Sequence, residues 1–296
     1  MTREPGDLPL PTRRPDQPEA VATFEGPGGV HRDQVMPMKP SPAVQTAPPQ
    51  PVWTDRAARF YAQGMDRSDY GAQAAAALLA ALGRPASLLD LGAGAGHPAR
   101  GWVPSDSPWF AVEPNRYLRA RLGRLSRTSH PALHPLNAVW QELPPLPPVD
   151  VAFCANIPGT LEAPEALLGL MRFAATRAVA WIVPAQRGPK RWCLSGALPT
   201  SLHGEEERPA VAGVLAALGP KRQPSRSAIF PWSFAARFAS PTEAFAHCAA
   251  QLDLPPGDPR RAALADHLAQ ALRPLPEGGF ELTAPKLSAL LIWNLA

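Results

Sequence analysis

The segment Leu88-Leu89-Asp90-Leu91-Gly92-Ala93-Gly94-Ala95-Gly96 constrains the fold of this chain more than any other stretch. An apolar run carrying one acid gives way to alternating glycine and alanine. Glycine allows backbone angles and a closeness of approach that a side chain would block. A strand followed by such a turn, placed first in a doubly wound sheet, borders the crevice at the strand ends where nucleotide-like ligands bind. Dinucleotide enzymes space these glycines G-x-G-x-x-G, whereas this run reads G-x-G-x-G and places His97 where the third would fall. Histidine is too large to let helix and strand pack closely beneath a pyrophosphate. Asp90 at the strand end would repel a diphosphate and attract an ammonium group. A helix start is expected just after the turn.

The surrounding pattern agrees with a layered α/β architecture. Helices are expected over Trp53 to Gly64 and over Tyr70 to Leu82, the second alanine-rich and stopped by Gly83. Ala86 to Leu91, Trp109 to Val112, Val149 to Ala155 and Ala178 to Val183 are short apolar runs, as expected of strands buried on both faces. The segments between them can cross back over a sheet, which predicts a parallel, doubly wound arrangement. Farther on, a helix is expected over Glu205 to Leu218, an extended run over Ser227 to Phe234, helices over Pro241 to Leu252 and Arg260 to Leu272, and a last extended run over Leu287 to Leu295. One folded domain is therefore expected over 53–296, with 235–285 as a helical cap.

Leu89 to Gly96 resembles the first motif of class I S-adenosylmethionine-dependent methyltransferases. Glu113 lies 23 residues after Asp90 at the end of the next expected strand, matching the family's acid that accepts hydrogen bonds from both ribose hydroxyls. Val139-Trp140-Gln141-Glu142-Leu143 resembles the loop that holds the adenine, with Trp140 flanking the purine. Asn156-Ile157-Pro158 follows the fourth strand, where the family faces the methionine end and the acceptor. Its likeness to an Asn-Pro-Pro-aromatic signature is loose, since Ile157 interrupts the prolines and Gly159 replaces the aromatic.

The resemblance implies a Rossmann-like sheet of order 3-2-1-4-5-7-6 and S-adenosylmethionine as cofactor. It implies cofactor contacts at Asp90, Gly92, Ala93, Gly94, Gly96, Glu113, Pro114, Val139, Trp140 and Asn156, with Asn156 also the candidate for orienting an acceptor. A small-molecule acceptor is expected, with protein and nucleic acid left open. A methyltransferase-like accessory protein lacking its own acceptor site is the alternative, and a nicotinamide-dependent oxidoreductase is disfavoured by the glycine spacing.

Structural readings stand beside these. Asp90 could cap a helix, Glu113 could be a surface acid, and Trp140 could be core packing. Trp53, Tyr61 and Tyr70 either pack or close over the pocket. Trp232, Phe234, Phe238 and Phe245 either line a pocket or fill the core, and His203 suits a helix end better than a general base.

Residues 1–52 are expected to form a disordered tail: they hold a dozen of the 39 prolines and show no apolar period. They lack the charged start, apolar middle and small-residue site of a secretory signal. The remainder carries a net charge of +5, scattered as along Arg116, Arg119, Arg121, Arg124 and Arg127, which fits a solvated helix face better than a nucleic-acid groove. Cys154, Cys193 and Cys248 are too dispersed for a disulfide framework or paired zinc ligands, so a reducing cytoplasm and no metal are expected. His130 and His134 bracket Pro131 in an expected loop, without the continuous helix of a metalloprotease pair. The longest apolar run, Ala74 to Leu82, has about half the length needed to span a bilayer.

Overall fold

The computed structural model describes residues 22–25, 53–157, 163–187, 193–204 and 208–295. In chain order the elements are β1 (Ala22–Glu25), α1 (Asp55–Arg67), α2 (Tyr70–Leu82), β2 (Leu88–Leu91), β3 (Trp109–Val112), α3 (Arg116–Thr128), β4 (Leu133–Leu136) and β5 (Val149–Ala155). They continue with α4 (Pro164–Ala174), β6 (Ala175–Pro184), α5 (Thr200–His203), α6 (Ala210–Leu218), β7 (Arg226–Phe238), α7 (Pro241–Gln251), α8 (Arg260–Ala271), β8 (Arg273–Pro274) and β9 (Phe280–Asn294).

The strands form one sheet in the order β1-β7-β9-β6-β5-β2-β3-β4, with β8 paired to β9. Strands β2 to β6 pair in parallel, and β9 enters antiparallel between β6 and β7. Leaving out β1 and β8 and counting β2 as the first strand, this is the order 3-2-1-4-5-7-6 with the last strand reversed. The chain thus has a doubly wound, Rossmann-like sheet in the order that the resemblance implies.

Strand alternation divides the core into two layers. Leu88, Trp109, Ala111 and Phe153 point to the face covered by α1 and α2, whereas Leu89, Leu91, Val112 and Cys154 point to the face covered by α4 and α6. Asp90 shares the first face with Leu88, which places its carboxyl inside the layer. Helix α1 starts where Thr54 Oγ1 accepts from the Ala57 amide, a cap contributing about 1 kcal/mol. Helix α2 ends at Gly83, whose φ of 66° only glycine adopts readily.

Several elements differ from expectation for physical reasons. No α-helix follows the glycine turn; a single 3-10 turn, Ala99–Gly101, stands there, because Pro98 and Pro104 bracket a stretch too short for helical bonding. Helix α2 covers it closely: a Cβ on Gly101 would lie 3.0 Å from that of Ala75. Helix α6 begins at Ala210, behind Pro209. Glu205 to Glu207, read as part of that helix, lie outside the described residues, and His203 is the last residue of α5. Leu133–Leu136, carrying His134 and Pro135, forms β4 at the sheet edge rather than a loop. This separates the histidines: His134 stacks on Phe110 at 5.4 Å, and His130 meets the edge of Trp109 at 5.6 Å.

The largest difference is the length of β7 and β9. They pair from Arg226↔Ile292 to Phe238↔Phe280, while β6 leaves the sheet at Pro184↔Ser288. A two-stranded ribbon of about 26 Å therefore overhangs the carboxyl ends of the parallel strands. Its inner face packs on α1, with Phe60 6.1 Å from both Phe234 and Phe238. Helices α7 and α8 join the strands at the ribbon's tip, and His267 Nε2 of α8 lies 2.6 Å from the Ala197 carbonyl oxygen. At the sheet's outer edge Ala22–Glu25 pairs antiparallel with β7, a strand inside the stretch expected to hold none. The free backbone groups of an edge strand supply the reason.

Candidate active site

The site forms where β2, β3 and β5 end. Gly92, Gly94 and Gly96 all have left-handed φ, at 62°, 59° and 76°, so the turn coils tightly over the strand ends. Two of its surfaces are closely filled. A Cβ on Gly92 would lie 2.6 Å from Ile157 Cγ1, and one on Gly96 would lie 2.9 Å from Trp109 Cη2. Above Gly94 the nearest group is Tyr61 of α1, whose Cε1 would be 3.7 Å from such a Cβ.

Glu113 holds this turn to the neighbouring strand. Its Oε2 accepts from Gly94 N at 2.9 Å and its Oε1 from Asn115 N at 2.7 Å. Each oxygen keeps a further lone pair for a ligand hydroxyl. Burial raises its pKa, against the lowering by those two backbone bonds and by Arg119. Asp90 is only 2% exposed and takes the Trp109 indole N–H at 3.2 Å. Burial, reinforced by the negative charge of Glu113, pushes its carboxyl up to about 8. Two acids in one dry corner favour a ligand that brings positive charge and hydroxyl donors.

Asn156 directly follows β5 with φ 51°, its backbone N–H donating to the Ile182 carbonyl at 3.0 Å. Its side-chain Nδ2 donates to Tyr70 Oη at 3.0 Å, across from α2. Tyr70 in turn meets Trp232 of the ribbon at a tilt, the ring centroids 4.5 Å apart and the planes 47° to each other. A second tie binds α1 to the turn: Asp66 Oδ1 lies 3.0 Å from His97 Nε2, and Arg121 Nη2 donates to both Asp66 oxygens at 2.7 and 2.9 Å. Burial holds His97 down at about 4, so it is neutral.

Asp90, Gly92, Ala93, Gly94, Gly96, Glu113 and Pro114 come together at the ends of β2 and β3, and Asn156 joins them through β5. Val139 and Trp140 follow β4, with Trp140 half-buried against the second-face core. Pro158 and Gly159 lie outside the described residues. Sequence reasoning passed over Lys286, which is 7% exposed on β9; Cys193, read only as one of three dispersed cysteines, is half-buried. A lysine in an alternating strand at a buried position was the available signal, masked by Pro285. Among the described residues no group of three or more His, Cys, Asp or Glu gathers to hold a metal. No helix among them is long and apolar enough to cross a membrane.

No protein-family model matches the chain, and no curated protein matches it. Solved structures do. The YcgJ protein of Bacillus subtilis is 12% identical with a TM-score of 0.43, covering 75% of this chain and 99% of that one. Magnesium protoporphyrin IX methyltransferase of Synechocystis PCC 6803, solved with bound SAM, is 12% identical with a TM-score of 0.37 over 55% of this chain and 71% of that one. The N-methyltransferase NodS of Bradyrhizobium japonicum WM9, in complex with S-adenosylhomocysteine, is 13% identical with a TM-score of 0.35 over 41% and 63%. The fold assignment rests on the strand order itself.

Proposed function

We propose that this protein is an S-adenosylmethionine-dependent methyltransferase acting on a small-molecule acceptor. The observation that carries the reading is the carboxylate of Glu113 bound to Gly94 N in a triple left-handed glycine turn, at the carboxyl edge of a sheet ordered 3-2-1-4-5-7-6. The residues fit the cofactor. Asp90 and Glu113 are buried acids that a cationic amino-acid end and a ribose diol would satisfy, and Gly94 leaves a Cβ-sized space beneath Tyr61.

When bound, the cofactor supplies a methyl group already activated on a sulfonium, so the protein has little covalent chemistry to perform. In this reading Glu113 accepts the ribose hydroxyls and Asp90 ionises against the ammonium. Val139 and Trp140 border the adenine, with Pro114 beside Glu113. Asn156, its amide held by Tyr70, orients the nucleophilic atom of the acceptor for in-line attack. The ribbon with α7 and α8 acts as the cap that excludes water, which favours small acceptors over large folded ones. A cytoplasmic setting is part of the proposal and rests on the three dispersed cysteines, all free.

Calorimetry with S-adenosylmethionine and S-adenosylhomocysteine tests this, using wild type, Asp90→Ala and Glu113→Ala, with NAD as control. Micromolar binding weakened by both substitutions is expected. No binding by folded wild type, or tighter binding of NAD, would overturn it.

A further inference from the structure

We propose that the outer faces of α1 and α3 together form a docking surface for a single-stranded nucleic acid, with phosphates on arginine and bases on Trp53 and Tyr117. The inference goes beyond the methyl-transfer reading and does not depend on it. In sequence the arginines of α3 fit a solvated helix face; the fold sets a second arginine-bearing helix beside them. Asn115 Nδ2 donates to the Trp53 carbonyl at 3.2 Å, the Arg59 guanidinium lies 4.5 Å over the Tyr117 ring, and Arg121 Nη2 donates to Asp66 at 2.7 Å. Taken in order along both helices, these ties make them parallel neighbours with their amino ends together. Ala58 and Ala62 of α1 are buried in one cluster with Leu118 of α3. Each helix has 13 residues, so the pair presents a surface about 20 Å long.

Positive charge is concentrated on this pair. The two helices carry eight arginines and two aspartates, a net charge of +6, in a chain whose whole net charge is +4, so the rest of the chain is slightly negative. Two of the eight serve the fold: Arg119 donates to the Glu113 and Pro114 carbonyls, and Arg121 holds Asp66. The other six, Arg56, Arg59 and Arg67 of α1 and Arg116, Arg124 and Arg127 of α3, are exposed. None of the six forms an ion pair among the described residues. The nearby acids are already engaged, Asp66 with Arg121 and His97, and Glu113 with the glycine turn. At 3.6 residues per turn each set of three falls within about 80° of its helix. The α1 set is turned about 80° one way from the side that touches α3, and the α3 set about 100° the other way, so both face the same side. Like charges gathered this way repel one another, and a polyanion relieves the repulsion.

The residue types select among polyanions. All the cations of the two helices are arginine, whose planar fork matches two phosphate oxygens at once. Trp53 and Tyr117 are half-buried at the amino ends of the two helices, and Tyr117 already carries the Arg59 guanidinium on its ring. Bases of a flexible strand can stack on such rings and guanidinium planes, whereas the bases of a duplex are stacked on one another. An acidic peptide would satisfy the arginines and leave the rings unused. A bilayer would need apolar side chains to insert, and the exposed large ones among the described residues, Leu79, Phe173 and Ile229, all lie outside α1 and α3.

The test titrates the full chain, without cofactor, into labelled single-stranded oligonucleotides and follows anisotropy at several salt concentrations. Six phosphate contacts predict that log affinity falls with log salt at a slope of about −4. Arg56→Gln, Arg116→Gln and Arg124→Gln combined should weaken binding about tenfold or more and flatten that slope by about 2. The same three changed to lysine should keep most of the affinity, since the charges remain. Arg172→Gln, Lys221→Gln and Arg273→Gln combined remove equal charge elsewhere and should change affinity less than about twofold. Trp53→Ala and Tyr117→Ala should each weaken strand binding about fivefold or more. Urea melts confirm that every variant is folded. The proposal is overturned if the strand does not bind, if the control triple weakens binding as much as the α1–α3 triple, or if both aromatic variants bind like wild type. Tighter binding of a duplex of the same sequence, of polyglutamate or of anionic vesicles overturns it too. Failure here with cofactor binding intact in calorimetry sinks only this inference, whereas strand binding by a protein that takes no S-adenosylmethionine sinks only the methyl-transfer reading.

Discussion

Replacing Asp90 with asparagine should make the empty protein more stable at alkaline pH while weakening its grip on the cofactor. The carboxyl titrates at about 8 in the fold against an ordinary value of 3.8, chiefly because it is buried. The native state therefore holds a proton that the unfolded chain releases. Stability from this group is full below about pH 4 and is lost as the pH rises toward 8. Applied to those two values, linkage gives a loss of about 2 to 3 kcal/mol between pH 6 and pH 9. Asparagine has nearly the same shape and can still accept the Trp109 N–H through Oδ1, so Asp90→Asn removes the titration with little repacking. Urea melts of both proteins at half-unit intervals from pH 5 to pH 9 give the comparison. The wild-type curve should fall relative to that of the variant from pH 5 onward and run parallel to it again above about pH 8, and saturating S-adenosylmethionine should close much of the gap by supplying a cation. Parallel curves across the whole range would refute the reasoning, because they would show that the buried acid is already ionised.

Gly96→Ala should cost about 2 to 3 kcal/mol in chemical denaturation, since φ is 76° and the new methyl would stand 2.9 Å from Trp109. Gly64→Ala drives a methyl into the Phe234 ring, where the nearest carbon would be 2.1 Å away, and should cost about 1 to 3 kcal/mol in urea melts. Asp66→Ala removes the acid that joins His97 to Arg121, and should cost about 1 to 2 kcal/mol with faster amide exchange confined to α1.

The parts of the fold that were legible in sequence were those with an uninterrupted local pattern. Helix α2 and strands β3 and β5 fall on the expected residues because each is a mainly apolar or alanine-rich run between proline, glycine or charge. β4 escaped notice because His134 and Pro135 break its apolar run, and its pairing with β3 is what makes it a strand. The extensions of β7 to Phe238 and of β9 back to Phe280 depend on each other, a partnership that no local window contains. At the site the glycine turn was readable from its own residues, and Glu113 only through the family resemblance. Asp90 was legible as an acid at the strand end, but not its direction: alternation turns it inward onto the Trp109 indole. The positions of Tyr61, Tyr70 and Lys286 depend on helices and strands distant in sequence that meet over one edge of the sheet.

The overhanging ribbon also dictates the order in which this molecule can be completed. Ser233 donates its amide to Asp69 across 164 residues of chain, and Asn156 reaches Tyr70 across 86. Contacts so remote along the chain close large loops and form late in folding. During synthesis from the amino terminus, α1 and α2 emerge long before the ribbon that covers Phe60 and Tyr70. The glycine turn can assemble with the first parallel strands, whereas the side of the crevice that the ribbon covers waits for the fifteen residues of β9.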